Sequence, residues 1–310
     1  MQIQHFTSII GSPQWYNSHR VIEMNEEKTA ITKQANAQAG MLVHNYNINV
    51  KGIAKKVIYH FSDIHLSEYD SFSDEQEKLF AIERTNIWEE RRVAKAKHYK
   101  ESCSEEQLQS SYQHFVNLLA EAEKGDALIL TGDICDYISG ANIRAVNNCF
   151  SKLTIPYMYV CGNHEKPELI PDGNVVSQIK NPVQILDLGD VVIFGVDNSR
   201  RQVTAEQTEQ LKRALLLGKP LIVAMHVPIM TEGNQEEFEK RGAYVQFNGK
   251  DAGKEALEFV DLIKENANSI IAVLAGHLHY IDNTQVVPGV MQYVSSQGIL
   301  GNINRYEIGI

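Results

Sequence analysis

Short apolar runs recur along the chain, most of them bounded by Gly, Pro, Asp or Asn. VIYHFS (57–62), ALILTG (127–132), YMYV (157–160), VVIFGV (191–196), LIVAM (221–225) and IIAVLAG (270–276) are mostly β-rich and too short for helices. They predict buried strands. Between them lie stretches of helical spacing. Leu108, Tyr112, Phe115 and Leu119 share one face of 105–123. In 204–217, Thr204 and Gln207 form a capping box ahead of Leu211, Ala214 and Leu215. Ala256, Val260 and Ile263 repeat the pattern in 252–265. After 280 the chain turns strand-rich, with TQVVP, VMQYVSS and INRYEIG. This alternation predicts an α/β fold with helices covering sheet faces.

The first 50 or so residues are polar and weakly patterned, except MLVHNYNINV at 41–50, which alternates as a half-buried strand does. Lys51-Gly52 would turn that strand into the next run. Residues 1–56 are therefore expected to be a strand-containing extension packed on a main domain of 57–310. The stretch at about 68–125 is highly charged and helical, longer than a usual crossover, and reads as an insertion.

Charge and composition remove several function classes. The 310 residues carry 29 Lys and Arg against 39 Asp and Glu, a formal net charge of −10. Such a chain lacks the basic excess that a phosphate backbone attracts, which argues against nucleic acid as a partner. No apolar run approaches the roughly 20 residues of a membrane span. MQIQHFTSIIGSPQW has no basic start followed by an apolar run, so no signal peptide is expected and a cytoplasmic location is the default. Cys103, Cys135, Cys149 and Cys161 form no C-x-x-C pair and read as reduced, mostly buried thiols. Nothing in the sequence sets an oligomeric state.

The chemistry sits where the strands end. The first run leads into Asp63-Ile64-His65, and the second into Gly132-Asp133-Ile134-Cys135-Asp136. The third leads into Gly162-Asn163-His164-Glu165, and the fifth into His226. The sixth leads into Gly276-His277-Leu278-His279. Alone, each piece is ordinary: a turn acid, a turn Asn, a core histidine. Together they place five of the eleven histidines at strand ends, and α/β folds bind ligands outside the carboxyl ends of their strands. His5, His19, His44, His60, His98 and His114 lie outside the set. The ligand types are oxygen and imidazole nitrogen without thiolate, which suits Mn, Fe, Zn, Co or Ni. Seven ligand candidates are too many for one ion with an open position, and they suit two ions sharing a carboxylate.

D-x-H, GD-x-x-D, GNH-E, H and GH-x-H, in this order over 63–279, resemble the calcineurin-like metallophosphoesterases. The resemblance implies a four-layer αββα sandwich of two mixed β-sheets flanked by helices. It implies two divalent transition-metal ions, with Mn, Fe and Zn as the candidates. Asp63, His65 and His279 would bind one and Asn163, His226 and His277 the other, with Asp133 bridging them. The family reaction is in-line attack at phosphorus by a metal-bridging hydroxide. His164 would face the substrate and protonate the leaving oxygen or stabilise the transition state, and Asp136 would orient and charge it. Glu165 would support His164 or the ligand shell.

Departures from subfamily patterns narrow the reading. Asp136 stands where purple acid phosphatases carry Tyr, and Asp136-Tyr137-Ile138 lacks the D-R-G of Ser/Thr protein phosphatases. SDIHL resembles the start of the double-strand-break nucleases, against which the −10 charge argues. The motif set is also that of class III cyclic-nucleotide phosphodiesterases and their bacterial relatives. A small phosphomonoester or phosphodiester is therefore expected over a polymer. The competing readings are a nuclease and a non-catalytic metal-binding scaffold. Specificity is expected from the 68–125 helices as a roof and from a loop at 227–250 carrying Arg241, Tyr244 and Phe247. Arg200 and Arg201 after GVDNS are further candidates for a phosphate contact. Trp88 is read as core, and Arg91 and Arg92 as surface.

Overall fold

The computed structural model describes residues 32–36, 40–98 and 107–309. Twelve strands, numbered in chain order, form two six-stranded sheets. The first contains β1 (Thr32–Asn36), β2 (Met41–Ile48), β3 (Lys56–Phe61), β4 (Ala127–Leu130), β5 (Tyr157–Tyr159) and β12 (Asn302–Ile308), in the order β1-β2-β12-β3-β4-β5. The second contains β6 (Val183–Asp187), β7 (Val192–Val196), β8 (Leu221–Ala224), β9 (Ile270–Ala275), β10 (Asp282–Val287) and β11 (Val290–Val294), in the order β10-β11-β9-β8-β7-β6. Both sheets are mixed. β3, β4 and β5 run parallel, as do β7, β8 and β9.

Alternation along the strands builds four layers. Ile58, Ala127 and Ile129 of the first sheet meet Ile193, Ile222, Ala224 and Leu274 of the second in a core between the sheets. Their sequence neighbours point the other way. Tyr59, Phe61, Leu128 and Leu130 pack outward against Phe115, Leu118 and Leu119 of helix α2 (Ser111–Ala122) and Val146 and Phe150 of α3 (Gly140–Phe150). Phe194, Val223 and Val273 pack outward against Leu211 of α4 (Ala205–Leu215) and Phe259, Val260 and Ile263 of α6 (Lys254–Glu265). Central strands buried on both faces are near-continuously apolar, which is why they read so plainly. The α/β class and the αββα sandwich expected from the sequence are those of the structure.

Element ends follow local chemistry. Thr204 and Gln207 make the reciprocal capping box that starts α4. The Ser110 hydroxyl accepts from Gln113 N, so α2 starts at Ser111 and Leu108 lies before it, packed near Trp88. The charged insertion supplies α1 (Glu75–His98), whose buried side chains include Ala81, Trp88 and Arg92. Residues 227–250 are not all loop, since they contain α5 (Gln235–Arg241), with acidic residues in its first turn and basic ones in its last.

Candidate metal centre

The parallel strands of each sheet carry their C-terminal ends to one edge, and the polar loops leaving them are zipped together. Asp63 N donates to Gly132 O at 3.1 Å, Ile64 N to Asp133 O at 2.9 Å and Gly276 N to His226 O at 3.0 Å. These loops turn abruptly. Asp63, His65, Asp133, His277 and His279 all have positive φ, between 51° and 71°. Arg201 is the sixth such non-glycine among the described residues. Left-handed backbone is costly for residues with a Cβ and clusters at functional sites. Gly162 fits where no side chain could, because a Cβ there would lie 2.2 Å from Asp133 N and Oδ1.

Two clusters result. Asp63, His65 and His279 each offer a ligand atom within 4.8 Å of the others, and so do Asp133, His226 and His277. In the first, His65 Nε2 and His279 Nε2 are 3.1 Å apart, and Asp63 Oδ1 lies 3.1 Å from His279 Nε2. In the second, His277 Nδ1 is 3.2 Å and Asn163 Oδ1 2.9 Å from His226 Nε2, and Asp133 Oδ2 is 3.4 Å from it. All seven sequence-predicted ligand residues thus converge. His164 and Asp136 adjoin them, with His164 Nδ1 3.0 Å from Asp136 Oδ1.

The outward nitrogens of three of these imidazoles face oxygen acceptors. His226 Nδ1 meets Thr131 O at 2.6 Å and His277 Nε2 meets Tyr244 O at 2.9 Å, whereas His65 Nδ1 lies 3.3 Å from Asp136 Oδ1 without a hydrogen bond. A hydrogen-bonded partner fixes the tautomer and turns the other nitrogen's lone pair inward. Asp63 Oδ1 is buried and makes no hydrogen bond. Imidazole nitrogens gathered around a buried carboxylate oxygen that accepts no hydrogen bond fit a divalent cation. A third group, His65, Asp136 and His164, also lies within ligand distance of itself. It does not suit a cation, because Asp136 already accepts from the Arg84 guanidinium and the Trp88 indole.

Electrostatics follow from the crowding. Burial would raise the Asp63 carboxyl, but His279, His226 and His65 hold it well below the usual carboxylate range. Burial likewise opposes the charged form of Asp133, which His226 and His65 keep low. Burial lowers the His65 and His277 imidazoles to about 4. His164 is half-buried; desolvation would lower it, and the Asp136 and Asp133 carboxylates hold it up at about 9.

Glu165 has a defined place. Its buried carboxylate accepts from Gly162 N (2.8 Å), Asp133 N (3.2 Å), Ile134 N (2.9 Å), Cys135 N (3.1 Å) and the Tyr159 hydroxyl. It ties the two glycine loops together beneath Asp133. Burial and the Asp133 charge raise it to about 7. Asn198, not singled out from the sequence, accepts from His226 N (2.9 Å) and Val227 N (3.0 Å) and donates to Val227 O (2.7 Å). It too follows a strand end, β7, so the rule that found the others points to it.

Several expectations are corrected. Trp88 is not plain core: its ring stacks on His65 at 3.8 Å between centroids. Arg92 is buried, not surface, and pairs with Glu89 at 2.5 Å. Arg91 is exposed and lies over the Trp88 ring at 5.0 Å. Phe247 is buried against Phe259, and Arg241 covers Tyr280, so Tyr244 alone of that trio stands out into solvent. Arg201 donates to Ala243 O at 2.7 Å, and Arg200 is 3.8 Å from Glu168. Cys135, Cys149 and Cys161 are free and buried; Cys103 and the side chain of His98 lie outside the described residues, as do His5 and His19.

A sequence model of the calcineurin-like phosphoesterases matches residues 56–281. The fold is similar to that of a dimetal phosphatase from Danio rerio, at 9% identity and a TM-score of 0.51, over 79% of this chain and 88% of that one. TT1561 of Thermus thermophilus aligns at 13% identity and a TM-score of 0.45, over 79% and 91%. A 5'-nucleotidase from Candida albicans aligns at 13% and 0.39, over 78% of this chain and 45% of its own length. A comparison with curated proteins finds no significant match. The family match spans most of the chain and all five loops with candidate ligands, so this protein belongs to the calcineurin-like phosphoesterase family and is a metal-dependent phosphoester hydrolase.

Proposed function

We propose that the protein hydrolyses a small phosphomonoester or phosphodiester at a centre for two divalent transition-metal ions, Mn, Fe or Zn. Asp63, His65 and His279 hold one ion, Asn163, His226 and His277 the other, and Asp133 serves both. The observation that carries this reading is the gathering of the Asp63, His65 and His279 ligand atoms in one cluster and of the Asp133, His226 and His277 ligand atoms in a second. When bound, such a cation pair polarises a phosphoryl oxygen and acidifies water.

The chain's own residues do the rest. His164 stands half-exposed beside both clusters, with Nδ1 fixed by Asp136. The Asp136 and Asp133 carboxylates favour its protonated form, and its Nε2 can deliver that proton to a leaving oxygen. Asp136 keeps that ring oriented, and Glu165 keeps the Asp133 loop in its strained turn.

A small substrate is supported by α1, which stands against the site through Trp88, and by the −10 charge, which repels a polyanion. No helix among the described residues is long and apolar enough to cross a membrane. The free buried thiols support a reducing compartment, and the proposal places the reaction in the cytoplasm. The packing of the strand-containing extension on the 57–310 domain is supported by the pairing of β2 with β12.

The test is a panel of phosphomonoesters, linear and cyclic diesters and nucleotides on protein whose metal content has been measured. Turnover of a small ester is expected. Full occupancy with no turnover on any of them would overturn the reading. His164→Asn should lose turnover and keep metal. Tight, salt-sensitive retention on DNA would favour a nuclease.

A further inference from the structure

We propose that Arg84 and Trp88, one turn apart on α1, are positioning residues for this reaction, acting through Asp136 on His164 and His65. Arg84 grips the Asp136 carboxylate with two nitrogens, Nε to Oδ2 at 2.5 Å and Nη2 to Oδ1 at 3.0 Å. Trp88 Nε1 donates to the same Oδ1 at 2.8 Å. Oδ1 also lies 3.0 Å from His164 Nδ1, which meets the Asp136 backbone carbonyl at 3.0 Å as well, and 3.3 Å from His65 Nδ1 without a hydrogen bond. One carboxylate oxygen therefore sits against two imidazoles, and besides Ser67 Oγ, which donates to Oδ2 at 3.4 Å, the groups that hold that carboxylate come from α1, outside the metal loops.

A carboxylate held by imidazoles alone can swing about its Cβ–Cγ bond. A planar guanidinium fork fixes the carboxylate plane in a way a point charge cannot. The indole N–H fixes which oxygen faces the histidines. The same indole lies flat on His65, 3.8 Å between centroids at 22°, and so sets the plane of the ring whose Nε2 faces Asp63 and His279.

The helix is built for this contact. One helical face carries the buried Ala81, Trp88 and Arg92, the partly buried Arg84 and the exposed Thr85, whose Oγ1 donates to Ser67 O at 3.1 Å. The apolar contacts of α1 include the small cluster of Trp88 with Leu108, Ile299 and Leu300 and the Phe80 ring against Tyr137, and its polar ones those to Asp136 and Ser67 beside the site. The charged insertion thus supplies a wall of the reaction site as well as a cover.

This inference rests on the reading of His164 as the acid, and the experiment separates the two. Arg84→Met, Arg84→Lys and Trp88→Phe are compared with wild type at equal, measured metal content. The substrates are phosphate esters of 4-nitrophenol and of a simple alcohol, monoester or diester as wild type prefers. An alkoxide leaves poorly without a proton, whereas 4-nitrophenolate leaves without one. Arg84→Met should lower kcat on the alkyl ester about 10- to 100-fold with KM little changed, the size usual for loss of a supporting partner. The loss on the aryl ester should be much smaller. Arg84→Lys should recover part of it, and Trp88→Phe, which keeps the stack, should show the same ester dependence more weakly. In a His164→Asn background Arg84→Met should add little. Equal losses on both esters, or full additivity with His164→Asn, would show that the pair only anchors α1 and would overturn the inference. If Arg84→Met does not fold, Trp88→Phe decides between the same two outcomes. If wild type cleaves neither ester, the same comparison is made between good and poor leaving groups on the panel ester it does cleave, and no turnover on the whole panel at full metal occupancy is the failure of the proposed function.

Discussion

His65 Nε2 and His279 Nε2 face one another at 3.1 Å, although 214 residues separate them in the chain. With the Asp63 carboxylate they form a set of ligand atoms close enough for one divalent cation to engage all three. Divalent metal should therefore stabilise the fold by linkage. Thermal unfolding should rise by several degrees on adding Mn or Zn to chelator-treated protein and fall again with chelator. His279→Ala should bind less metal by elemental analysis and lose much of that rise. An unfolding temperature indifferent to metal would contradict the two-cluster geometry.

Much of this site was legible because the fold writes it at strand ends. A short apolar run that stops at Gly-Asp or Gly-His names both a strand and the loop beyond it, and parallel strands bring such loops to one edge. Asn198 obeys the same rule but carries no ligand signal of its own. Arg84 and Trp88 were not legible, because helical periodicity shows which face of α1 is inward and not what that face meets. α3 was missed for a local reason: GANIRAVNNCF opens on Gly and holds three Asn, poor helix formers that Ser139 capping and burial of Ile143, Val146 and Phe150 override. β6 lies at a sheet edge, half-exposed and antiparallel to β7, where the buried-strand pattern fades.

Glu165 provides a test of the loop scaffold. Its two oxygens receive four backbone N–H groups and one hydroxyl. Glu165→Ala leaves those buried donors unpaired, at a cost of about 1–3 kcal/mol for each that finds no water. Glu165→Gln is no remedy, because either placement of its amide sets an NH2 against two N–H donors. Both variants should lower the urea midpoint in metal-free buffer, where folding is read apart from ligation. A midpoint within error of wild type for Glu165→Gln would refute the strut.

Gly162 tests close approach. An alanine Cβ would sit 2.2 Å from Asp133 N and Oδ1, both held in a strained turn that has no room to yield. Gly162→Ala should abolish turnover and reduce bound metal, beyond the roughly 1–3 kcal/mol that overpacking alone costs. Gly173→Ala is the control. Its φ of +80° makes alanine strained, but nothing lies within 4 Å of the new Cβ. It should lose about 1 kcal/mol of stability and no metal. Equal metal content in both variants would show that the Gly162 contact is not what seats Asp133.

Two histidines far from any proposed proton transfer set an acid limit on the fold. His60 is fully buried between the Thr131 hydroxyl at 2.8 Å and the Tyr306 hydroxyl at 3.2 Å, and burial pushes it down to about 3. His114 is buried beside Arg92, and desolvation with that positive charge lowers it to about 4. In the unfolded chain both titrate near 6.5. Between that value and the folded ones the unfolded state binds more protons, so stability is full above about pH 6.5 and falls as pH drops through it. From pH 7 to pH 5 each contributes a loss of about 2 kcal/mol. Metal-free protein should therefore show a urea midpoint that declines steadily over this window. His60→Gln and His114→Gln, whatever their cost at pH 7, should each flatten the slope. A slope left unchanged by both substitutions would assign the acid sensitivity to the carboxylates instead.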